Sequence, residues 1–74
     1  MSIITLTTDF GLKDFSVASV KGAILKELAQ VTIVDVSHQI SPFNIGEAAY
    51  IIKNVYQDFP EESIHIIGVD ALPN

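Results

Sequence analysis

The chain has 74 residues, 49% of them hydrophobic, with no cysteine and nine acidic side chains against four lysines. That content is too apolar for a disordered chain and fits one small globular unit, of a size that buries only about 60% of its unfolded surface. A net charge of −5 without any arginine argues against nucleic-acid and anionic-membrane partners, both of which need clustered cations. The lack of cysteine excludes disulfides and thiolate metal sites, and fits a reducing, cytoplasmic setting. No apolar run nears the roughly 18 residues of a membrane span. The first residues also lack the basic-then-apolar order of a signal peptide.

In chain order the pattern predicts strand, helix, strand, helix, strand. Ile3 to Thr7 is a β-branched run read as the first strand. It stops at Thr8-Asp9-Phe10-Gly11-Leu12-Lys13-Asp14, a turn holding two carboxylates around a glycine. Between Phe15 and Leu28, Val17, Val20, Ile24, Leu25 and Leu28 recur at helical spacing. Asp14 is placed to cap this helix by accepting N–H groups of its first turn. Gly22 inside it predicts close packing against a strand as compensation for a weak helix former.

Val31 to Val36 reads as a second strand, apolar on both faces, the pattern of a parallel strand covered on both sides. Ser37 to Phe43 is a loop stiffened by Pro42. Asn44 followed by Glu47 resembles a capping box. The residues Ile45, Ala48, Ala49, Ile52, Val55, Tyr56 and Phe59 continue at helical spacing until Pro60. Ile64 to Val69 is the third strand, again apolar on both faces apart from His65, which is read as structural. His38 reads as a hydrogen-bonded loop residue, and Asp35 as bonded to backbone at the sheet edge.

The expected fold class is therefore α/β, a βαβαβ unit with parallel strands joined by right-handed crossovers. All three strands then point their carboxyl ends to one edge, where Asp9, Asp14, His38, Phe43 and Asp70 gather. Three strands leave two open sheet edges, so residues 1–74 are expected to form the amino-terminal part of a larger three-layer α/β domain. The first turn has neither Gly-x-Gly-x-x-Gly nor a Gly-Lys-Thr loop for a phosphate, and Asp9 repels one. Carboxylates there suit ribose hydroxyls, amines, metal cations or a sulfonium; one Asp can accept from both vicinal hydroxyls of a ribose.

These residues also carry a resemblance. Ile4-Thr5-Leu6-Thr7-Thr8-Asp9-Phe10-Gly11-Leu12-Lys13-Asp14 with Val20-Lys21-Gly22, Ile33-Val34-Asp35-Val36-Ser37-His38-Gln39-Ile40 with Pro42, and Phe59-Pro60 through Ile67-Gly68-Val69-Asp70 are similar to three successive blocks of the S-adenosylmethionine hydroxide adenosyltransferases. That family comprises hydrolase relatives of the S-adenosylmethionine-dependent fluorinase and chlorinase. The resemblance runs along essentially the whole chain and covers only the first part of a family member, which continues into a β-rich carboxyl-terminal domain. It implies hydrolysis of S-adenosylmethionine to adenosine and methionine, with no metal or organic cofactor. By the same resemblance Asp9 grips the ribose hydroxyls, Asp14 and Ser16 lie near the methionine end, and Phe43 sits beside the substrate. Asp70 matches the aspartate of an Asp-Arg-His set that positions the attacking water. The set's Arg and His have no counterpart in this chain, so the fragment alone is expected to be inactive. Family members form homotrimers with substrate between subunits, and the same is expected of the full-length protein. One departure stands out: the family continues after the third-strand aspartate with proline and glycines, where this chain reads Ala71-Leu72-Pro73-Asn74.

Two other readings fit the same βα order. A phosphoacceptor receiver module also carries acids after its first strand and an aspartate after its third, with Mg²⁺ assisting phosphoryl transfer. Receivers favour two adjacent acids at the first strand end, whereas Asp9 is followed by Phe10. The third reading is a non-catalytic fragment that binds adenosine or S-adenosylmethionine.

Overall fold

A computed structural model describes residues 2–69 as β1 (Ser2–Thr8), α1 (Ser16–Glu27), β2 (Val31–Ser37), α2 (Ile45–Val55), a single 3₁₀ turn (Tyr56–Asp58) and β3 (Ile64–Gly68). The fold is the expected α/β one. All strands are parallel, in the order β2-β1-β3.

That order makes β1 the central strand, and its sequence suits the place. Residues 4–8 are all buried, and Leu6 is fully so. Period-two alternation sends Ile4, Leu6 and Thr8 to one face and Thr5 and Thr7 to the other. Leu6 pairs with Asp35, and Asp35 reaches Lys21 on α1, so α1 covers the Leu6 face. Thr5 pairs with His65, whose ring meets Tyr56 and Phe59 just after α2, so α2 covers the Thr5 face. One crossover runs from β1 out to β2 and the next, of the same hand, from β2 back past β1 to β3, and this reversal puts the two helices on opposite faces.

The flanking strands are covered less fully than their apolar pattern predicted. β2 has no buried residue, and Ile64 and Ile67 of β3 are exposed. Apolar residues on both faces were read as burial on both faces; only the central strand meets that condition among the described residues. The packing expected at Gly22 is also absent, since a Cβ there would meet nothing within 4 Å. Val17, Val20 and Ile24 are half-buried, while Leu25 and Leu28 are exposed. α1 therefore lies on the sheet lightly.

α2 begins as predicted at Asn44, whose Oδ1 accepts the Glu47 N–H at 2.9 Å. The reciprocal half of the capping box differs. Glu47 Oε1 accepts the N–H of Ser41 instead of that of Asn44, so the acid ties the helix start to the preceding loop. The helix ends at Val55, short of the Phe59 expected from periodicity. A 3₁₀ turn follows, and Phe59 is extended (φ −104°, ψ 158°) because it precedes Pro60.

Candidate functional site

In a sheet ordered 2-1-3, the chain leaves β1 in one direction and returns past it in the other. The crevice between the loops after β1 and β3 is the topological switch point, where such folds bind small molecules. Asp9 stands at this point. Its N–H donates to the Gly68 carbonyl at 3.2 Å, which fixes the start of the turn to the end of β3. A β-bulge between Leu6 and Thr7 opposite β2, skipping Val36, redirects the chain just before the edge.

The turn after β1 is bound tightly to the loop after β2. Ile40 N–H donates to the Thr8 carbonyl at 3.2 Å, and Gly11 N–H donates to the His38 carbonyl at 2.7 Å. Gly11 has φ +78°, a conformation that L side chains rarely adopt, so glycine is needed there. Phe10 turns its ring onto Gly68, where an added Cβ would lie 3.1 Å from Cζ. His38 and Ile40 are buried, plugging the loop into the edge of the sheet.

Side chains complete the connection. Thr8 Oγ1 accepts the Phe10 N–H at 3.2 Å and lies 2.7 Å from His38 Nδ1. His38 Nε2 lies 2.8 Å from Asp35 Oδ1, and Lys21 Nζ donates to Asp35 Oδ2 at 2.7 Å. An ionised carboxylate only accepts, so Nε2 carries a proton; in the neutral ring Nδ1 then accepts from the Thr8 hydroxyl. The hydrogen bonds from Lys21 and then from His38 hold the Asp35 carboxyl below the usual carboxylate range. Asp35 thus bonds two side chains, which corrects its assignment to backbone partners. His38 is the hydrogen-bonded loop residue expected.

The predicted site residues divide between two places. Asp9 and Phe43 come together: Phe43 N–H donates to Asp9 Oδ2 at 3.3 Å. Phe43 holds φ +64°, a strained conformation for a bulky side chain, and its ring is partly exposed. Asp14 and Ser16 sit further along, at the start of α1. Asp14 is exposed, and its Oδ1 accepts the Ser16 N–H at 2.8 Å. That bond, with a second from the Ser16 hydroxyl, lowers the Asp14 pKa. The N-cap position itself is Phe15, so Asp14 supports the helix start from one residue earlier. Asp70, the predicted water-positioning acid, lies outside the described residues.

Sequence reasoning missed Thr8 and Lys21 as members of this edge. Thr8 stands directly before the acid, where threonine hydroxyls commonly bond the backbone two residues on. Asp35 and His38, three apart at a strand end, were a second available signal. On the opposite face of β1, Thr7 Oγ1 is buried with no hydrogen-bond partner among the described residues.

A parallel α/β sheet with a carboxylate at its switch point has the architecture of the doubly wound class, in which that crevice commonly binds small molecules. Residues 4–73 match the family described as the SAM hydroxide adenosyltransferase N-terminal domain. The chain belongs to that family. Among curated proteins it is 42% identical to an (R)-S-adenosyl-L-methionine hydrolase of Methanocaldococcus jannaschii, covering 95% of this chain and 28% of that protein. It is 39% identical to a fluorinase of Actinopolyspora mzabensis over 84% of this chain and 21% of that one. Among solved structures, an uncharacterized conserved protein from Thermotoga maritima superposes with a TM-score of 0.87 at 31% identity, over 90% of this chain and 26% of the other. The chain thus spans about a quarter of the length of these relatives.

Proposed function

We propose that this chain forms the first part of an S-adenosyl-L-methionine hydrolase that releases adenosine and methionine. The single observation that carries the reading is Asp9, a carboxylate at the β1/β3 switch point of a chain in the hydroxide adenosyltransferase family. With Oδ2 receiving one backbone N–H, the carboxylate retains acceptor sites for the two vicinal hydroxyls of a ribose. Phe43 offers an aromatic surface beside it. Asp14 and Ser16 mark the methionine end, where Asp14 pairs with the ammonium group.

In the reaction, the oxygen of water attacks ribose C5′, the C5′–S bond breaks, and its electron pair leaves with sulfur as methionine. The water's spare proton passes to solvent or to a nearby base. Sulfonium sulfur is already a good leaving group, so catalysis consists mainly of in-line positioning and exclusion of bulk water. Asp70 is assigned to hold the attacking water, with Arg and His partners from later in the full-length protein. The reaction needs no metal or organic cofactor. The full-length enzyme is assigned as a cytoplasmic homotrimer, and residues 1–74 alone as inactive.

Halogenation is the second reading, favoured by the fluorinase relative. An acid at position 70 would repel a halide, which favours hydrolysis. The family match also favours either reading over a phosphoacceptor module. The test is to incubate the full-length protein with S-adenosylmethionine, with and without halide, and to separate the products. Adenosine and methionine in equal amounts, independent of halide, are expected. A 5′-halogenated nucleoside or absence of turnover would overturn the assignment.

A further inference from the structure

Asp9 is bracketed by one residue of the neighbouring loop. His38 bonds the chain just before Asp9 through its ring, at the Thr8 hydroxyl, and just after it through its carbonyl, at Gly11 N–H. The ring is almost wholly buried and is held on its far side by Asp35, which Lys21 holds in turn. The Thr8 hydroxyl carries this restraint directly into the turn, because its oxygen also accepts the Phe10 N–H. Asp9 therefore lies inside the four-residue segment Thr8–Gly11, whose two ends both bond His38. A carboxylate on an exposed turn would otherwise sample several rotamers, and fixing its backbone removes part of that freedom before ligand arrives.

Resting on the reading of Asp9 as the ribose anchor, we propose that His38 is a positioning residue that pre-aims the Asp9 carboxylate at a vicinal diol, acting through the Thr8 hydroxyl and held by Asp35 and Lys21. His38 touches no substrate in this arrangement. Its contribution is to the selectivity of the site for the ribose diol.

The discriminating measurement compares the affinities of the full-length enzyme for adenosine and for 2′,3′-dideoxyadenosine, which lacks both hydroxyls. Wild-type enzyme is expected to prefer adenosine, and Thr8→Val to reduce that preference about tenfold, the weight of roughly one hydrogen bond. Affinity for the dideoxy compound should stay within about twofold of wild type in that variant, since its contacts do not involve Asp9. Thr8→Ser, which keeps the hydroxyl, should restore the preference. Asp35→Asn changes a surface-accessible residue and keeps an acceptor for His38 while weakening the Lys21 contact; a smaller loss, about twofold to threefold, is expected there. Equal weakening of both ligands in Thr8→Val, with the preference intact, would show a purely structural role and overturn the proposal. So would an unchanged preference in both Thr8→Val and Asp35→Asn. A wild-type enzyme without preference for adenosine would overturn the ribose reading itself, and the positioning role with it.

Discussion

The two edges of the sheet differ in what their side chains do. At the amino edge, two open clefts of about 390 and 350 Å³ are lined by Ser2, Ile3 and the Pro60–Ser63 turn, and by Tyr56, Phe59 and His65 respectively. Both are roomy, yet their polar groups do not converge. His65 Nδ1 is paired with Thr5 Oγ1 at 2.7 Å and its ring is packed edge-on against Tyr56 and Phe59. At the carboxyl edge, a chain of hydrogen bonds runs from Lys21 of α1 through Asp35 and His38 to Thr8, next to Asp9. Phe43, held at positive φ, donates its N–H to the Asp9 carboxylate. Volume marks places where packing is incomplete. Chemistry is marked by converging polar groups and local strain, which makes the carboxyl edge the candidate site.

The largest expected break in this comparison is Asp9→Ala in the full-length enzyme. Losing two charge-assisted hydrogen bonds of about 1.5–3 kcal/mol each predicts a fall in kcat/KM for S-adenosylmethionine of at least about 10²-fold. The melting temperature should change little, because Asp9 is only partly buried. Steady-state kinetics with a parallel thermal melt check both statements.

Next comes Asn44→Ala, which removes the cap of α2 and loosens the segment carrying Phe43. A loss of about 1 kcal/mol in urea-measured stability is expected. Smaller again is the pH response of Asp35. Its folded pKa lies below the ordinary value of 3.8, so its pairings contribute fully above the unfolded midpoint and are lost as pH falls through the folded one. Removing this acid in Asp35→Asn should flatten the stability profile below about pH 4, with a modest amplitude because the Lys21–Asp35 pair is partly exposed and screened by salt. The smallest effect is expected at the amino edge. Ser63→Ala deletes a buried hydroxyl with no partner among the described residues, so stability should hold or rise slightly. Turnover should be unchanged, whereas a loss of turnover would move the site toward that edge.

Much of the carboxyl edge was legible in the sequence. A β-branched run ending in Asp9-Phe10-Gly11 announced a strand and a glycine-dependent turn, and Asn44 with the following apolar spacing announced α2. Both depend on neighbours in sequence, which local patterns report well. The strand order was not legible, since periodicity says which faces are apolar but not which strands pair. That gap explains the misjudged cover of β2 and β3 and the packing expected at Gly22. The Lys21–Asp35–His38–Thr8 chain also escaped notice. Its members are 3 to 30 positions apart, and only the pairing of β1 with β2 brings them together.

The proposal that Asp9 holds the ribose at the β1/β3 switch point is tested most directly by a crystal structure of the full-length protein with adenosine. Both ribose hydroxyls are predicted to lie within about 3 Å of the Asp9 carboxylate, with Phe43 beside the nucleoside. Adenosine bound with its hydroxyls away from Asp9, or seated at the amino edge, would contradict it.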